Sequence, residues 1–103
     1  MKFMVTWKIP TGSYQTAIEA YLKTGAPPPA GVTNLGRYHS PGSATGWILV
    51  EGDAEAVASS VAEWSGLAVL EAHPVIEDAE ATSSLARVYG KKKRAPRKRA
   101  RKS

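Results

Sequence analysis

Residues 91 to 103 read KKKRAPRKRARKS, nine cations with no acid and almost no apolar surface, so any folded core must be built from the residues before them. Such a segment cannot bury enough apolar area to offset the entropy lost on ordering, and 91–103 is expected to be a disordered basic tail. Residues 1–90 carry five Lys and Arg against nine Asp and Glu, a net of −4, so the formal +5 of the chain averages two unlike parts. A body of this length is expected to form one domain that buries roughly 60 to 65% of its unfolded surface, with little stability in reserve. The chain has no cysteine, which excludes disulfides, thiolate metal sites and cysteine nucleophiles within it. The apolar run before Lys8 and Pro10 is too short for a signal-peptide core or a membrane span, and the expectation is a cytoplasmic protein.

Phe3, Val5, Trp7 and Ile9 alternate with Met4, Thr6 and Lys8, the period of a strand with one strongly apolar face. Pro10 to Gly12 end it, and Ser13 is placed to cap a helix whose stripe is Tyr14, Ala17, Ile18, Tyr21 and Leu22, with Gly25 as its stop. After the stiff connector APPPAG, Val32 to His39 and Thr45 to Glu51 read as an antiparallel pair joined by the turn formers Ser40 to Ser43. Asp53 is expected to cap a second helix with Ala54, Val57, Ala58, Val61 and Trp64 on its buried side. Leu67 to Ile76 reads as a fourth strand, and Asp78 as the cap of a short terminal helix ending at Gly90.

That order, βαββαβ plus a helix, predicts an α+β, ferredoxin-like fold: a four-stranded antiparallel sheet with helices on one face and a short C-terminal helix. Trp47, Leu49, Val69 and Val75 leave the other face too apolar for solvent, and a homodimer burying it is the expected solution. The segments MKFMVTWKIP, YQTAIEAYLKTGAP, LGRYHSPGSATGWILVEGD and PVIEDAEATSSLARVYG together resemble the small bacterial proteins grouped as domain of unknown function 3303, which are similar in shape to the dimeric α/β barrels. The resemblance spans roughly residues 1–90 and implies a ferredoxin-like homodimer. It implies no activity, because the wider superfamily includes oxygenases, haem-degrading enzymes, isomerases and non-catalytic proteins.

Few residues suggest chemistry. His39 and His73 are the only histidines, without HExxH or HxH spacing, and no metal or cofactor is expected. His73 shares strand parity with Glu71, and Arg37 with His39. If those strands approach, Arg37, His39, Trp47 and His73 would line a cleft between the sheet faces of a dimer, with His as acid or base and Arg37 holding an anion. The competing view makes them strand-end residues with ordinary hydrogen bonds. Tyr14, Tyr21 and Trp64 fall on helix stripes and are assigned to core packing, whereas Trp7 and Trp47 either line or fill a cavity. There is no GxGxxG, no GxxxxGK[ST] and no GxSxG, which leaves little support for nucleotide cradling or a serine nucleophile.

The tail points instead to a partner. Lys91, Lys92, Lys93, Arg94, Arg97, Lys98, Arg99, Arg101 and Lys102 can neutralise phosphates and release counterions. Without an aromatic residue among them the binding expected is non-specific attachment to nucleic acid. A small-ligand binder or enzyme working in the cleft is the main alternative, and a structural oligomer without ligand a third.

Overall fold

The computed structural model describes residues 1–90, so the basic tail of 91–103 lies outside the described residues. The elements run β1 (Lys2–Lys8), α1 (Tyr14–Thr24), β2 (Val32–His39), β3 (Thr45–Gly52), α2 (Ala54–Trp64), β4 (Val69–Val75) and α3 (Asp78–Leu85), the last continued by a π-helical turn over Ala86–Gly90. The four strands form one antiparallel sheet in the order β2-β3-β1-β4. This is the α+β, ferredoxin-like plan expected from the element order: the two central strands are the first of each half, and each helix crosses back over the same face.

Alternation decides which residues reach the core. Phe3 and Val5 on β1 oppose Val50 and Ile48 on β3, and this set points toward the helices. Phe3, Val5 and Val50 are buried together with Val57 of α2. Ala17 of α1 and Ala68 complete the six buried apolar residues among those described. The core is thin, consistent with a domain that gains stability from further burial.

Local signals set most helix ends. Asp53 Oδ1 accepts the Ala56 N–H at 2.8 Å, the expected cap of α2. Gly25 closes α1 in the left-handed region, at φ 74°, with its N–H on the Tyr21 carbonyl. Two expected caps differ. A 3-10 turn over Thr11–Ser13 leads into α1, and the Ser13 side chain makes no capping bond. The cap of α3 is Glu77 rather than Asp78, because Glu80 reaches back to accept the Glu77 N–H at 3.2 Å while Lys2 pairs with the Glu77 carboxylate. The α1 stripe is also narrower than its period implied: Leu22 is 74% exposed, and Ala17, Ile18 and Tyr21 supply the face toward the sheet.

One irregularity redirects β2. Its pairing with β3 runs Asn34 with Val50, then Gly36 with Leu49, so Leu35 is an extra residue and the strand carries a β-bulge. Before the bulge Val32 and Asn34 face the helices. After it the parity is inverted, and Arg37 and His39 face the helices while Tyr38 faces the other way, opposite Trp47.

Gly46 pairs with Trp7 and is held glycine by packing. A Cβ there would lie 2.1 Å from the Trp7 ring and 2.6 Å from the Tyr38 carbonyl oxygen. Gly46→Ala is therefore expected to destabilise the fold by about 2 kcal/mol, lowering the melting temperature by roughly 10 °C in a thermal scan. An unchanged melting temperature would show that the indole and the Tyr38 backbone can both move aside freely.

Candidate ligand cavity

Between the helices and the sheet lies a cavity of about 130 Å³. Its floor is Val5, Ile48, Val50 and Leu70, and its sides are Ala17, Ile18 and Tyr21 of α1 with Val57, Ser60, Val61 and Trp64 of α2. Pro27, Pro28 and Pro29 of the connector close one side, and solvent reaches it where Pro27, Pro28 and His39 are exposed. The two helices are separate enough that their apolar stripes line this space instead of filling it.

Arg37 and His39 mark one end, while Asn34 before the bulge and Ser60 of α2 border the cavity away from them. Arg37 and His39 follow each other at i and i+2 on β2 beyond the bulge, and both line the cavity with Tyr21, Trp7 and Ser43. The His39 ring lies 5.1 Å from the Trp7 ring, edge-on, and 5.5 Å from that of Tyr21. The Arg37 guanidinium sits 5.7 Å from the centre of the Tyr21 ring. His39 Nδ1 and Ser43 Oγ are 2.9 Å apart, a hydrogen bond that ties the imidazole to the loop between β2 and β3. Tyr14 donates from its hydroxyl to the Gly42 carbonyl at 2.7 Å, pinning the same loop to α1.

Two backbone outliers belong to this end. Ala26 and Ser43 are the non-glycine residues with positive φ among the described residues, at 43° and 65°, and both line the cavity. Each has its carbonyl held by a cavity side chain. Arg37 Nη2 donates to Ala26 O at 2.6 Å, with Nη1 on Gly25 O at 3.2 Å, and Trp7 Nε1 donates to Ser43 O at 3.0 Å. A non-glycine residue in this region costs of order 1–3 kcal/mol and persists only where its surroundings fix it, a pattern common at ligand sites.

The four residues grouped by sequence are divided between two faces. Arg37 and His39 border the cavity on the helix side. Trp47 lies on the opposite face beside Thr6 and Tyr38, and His73 lies on that face opposite Met4. β2 and β4 are moreover the two edges of the sheet, so Arg37 and His73 do not meet within a protomer. His73 Nε2 has Glu71 Oε1 at 3.4 Å, with both side chains exposed. Residues not singled out as ligand-facing from sequence, Tyr21, Asn34, Ser43, Ser60 and Trp64, border the cavity as well. The signal available for the change of face was Gly36, since a glycine inside a strand pattern marks a bulge. Among the described residues no group of three or more His, Cys, Asp and Glu is gathered to hold a metal ion, and no helix is long and apolar enough to cross a membrane.

The family model described as domain of unknown function (DUF3303) matches residues 1–89, nearly the whole described body. The chain belongs to this family. No curated protein and no solved structure matches the chain. The match covers every residue that lines the cavity of this chain, while residues 91–103 lie beyond it.

Proposed function

We propose that this DUF3303 protein is a homodimeric binder of a small, largely apolar molecule held between its helices and its sheet. The observation that carries this reading is the cavity of about 130 Å³ with its apolar floor and a braced polar end. That volume is close to the roughly 150 Å³ apolar cavity that admits benzene. A few convergent polar groups in an otherwise apolar concavity are the usual composition of a ligand site. Toluene, an uncharged single-ring probe, is expected to give saturable amide and methyl shifts in the full chain at Ala17, Ile18, Ile48 and Val61 by NMR titration. Leu49 and Val69, on the opposite face, should stay still. Saturable shifts confined to the open face would contradict the placement.

Self-association is supported by the open face itself. The register puts Met4, Trp47, Leu49, Val69 and Val75 on the side away from the helices, with Tyr38 beside Trp47. Trp47 is 46% and Tyr38 68% exposed in the single protomer. Lys2, Lys8, Glu51, Glu71 and His73 lie around these residues on the same face, and an apolar centre with a polar surround of this kind suits an isologous two-fold contact. A second function, non-specific attachment to nucleic acid, is favoured by the segregation of charge: nine cations in residues 91–103 follow a body of net −4.

A further inference from the structure

We infer that the cavity selects a small aromatic anion, a single-ring carboxylate or a molecule of the same chemistry, with Arg37 as the residue that recognises the charge. This rests on the cavity being a ligand site and adds the class of ligand.

Residues 1–90 hold nine carboxylates against five cationic side chains, yet none of those nine Asp and Glu lines the cavity. Among the described residues, Arg37 is the one permanently charged side chain that lines it. An otherwise acidic body thus presents to its interior a single positive group, set against low-dielectric walls that strengthen its attraction for an anion. A cation placed there would meet like charge with no carboxylate to compensate it.

Arg37 is also prepared for this role. A guanidinium has five N–H donors, and two of Arg37's bonds go to the Gly25 and Ala26 carbonyls. Those bonds fix the plane of the fork and leave donors for a further acceptor. His39, braced by Ser43 Oγ and edge-on to Trp7, supplies a second polar group beside it. The aromatic part of the ligand follows from the walls. Trp7, Tyr21 and Trp64 offer ring faces and edges around an aliphatic floor, a lining that favours a flat ring over a polyhydroxylated or branched polar molecule.

The test compares benzoate, toluene and benzylammonium, which share a ring and differ in their head group, by NMR titration of the full chain at neutral pH. Benzoate is expected to bind at least about tenfold more tightly than toluene, and benzylammonium more weakly than either. In Arg37→Gln the preference for benzoate over toluene should fall to near unity while toluene still shifts Ile48 and Val61. Equal affinity for benzoate and toluene in the unaltered chain, or a preference kept in Arg37→Gln, overturns the assignment and leaves the cavity as a site for neutral apolar molecules. If none of the three probes shifts a lining residue saturably, the ligand-site reading falls with it.

Discussion

Leu49→Glu is expected to turn the proposed dimer into a monomer that keeps its fold. Leu49 lies on the open face between Met4 of β1 and Gly36 of β2. In the proposed assembly a carboxylate there would be desolvated against an apolar partner surface, costing about 3 kcal/mol or more and weakening association at least ~100-fold. Trp47→Glu should act in the same direction, because that side chain is nearly half exposed in the isolated protomer and its loss leaves the Phe3, Val5, Val50 and Val57 cluster untouched. Sedimentation velocity at micromolar concentration, with far-UV circular dichroism to check folding, separates the two effects. A dimer that survives both substitutions would place the contact elsewhere.

The second large effect concerns salt. If about six of the nine cations in 91–103 contact phosphates of duplex DNA, the logarithm of affinity should fall with the logarithm of salt at a slope near −5. Raising salt from ~0.05 to ~0.2 M would then weaken binding by roughly 10³-fold. Base sequence should matter little, since phosphate contacts carry no sequence information. Replacing all nine basic residues by Gln should abolish binding, because the −4 of residues 1–90 repels the same polymer. Fluorescence anisotropy with a labelled random-sequence duplex measures both. Affinity indifferent to salt, or retained by the Gln variant, would move the contact onto the folded body.

The sheet was legible because β1, β3 and β4 obey simple alternation. Phe3 and Val5 are buried as the period of two requires, β2 begins and ends at Val32 and His39 as expected, and Asp53 caps α2 through its own side chain. The open face was legible for the same reason, since Leu49 and Val69 keep the parity of unbulged strands. The site was not. A single extra residue at Leu35 inverts the parity of everything after it, and moves Arg37 and His39 from the face of Trp47 to the face of Trp7. Whether a strand bulges depends on what its side chains meet across the sheet, which the local pattern does not contain. Helix stripes mislead in a related way. Tyr21 and Trp64 occupy core positions in the period, but a stripe records only that a face is turned inward, not that the facing layer fills the space before it.

Xenon offers the most direct test of the proposed ligand cavity, because it enters apolar cavities without needing any particular polar contact. Crystals of the full chain pressurised with xenon should show the atom between α1, α2 and the sheet, against Ile48, Val50 and Tyr21. Anomalous density located instead between the open sheet faces of two protomers, with none beneath the helices, would contradict the account and return the site to the cleft first suggested by Trp47 and His73.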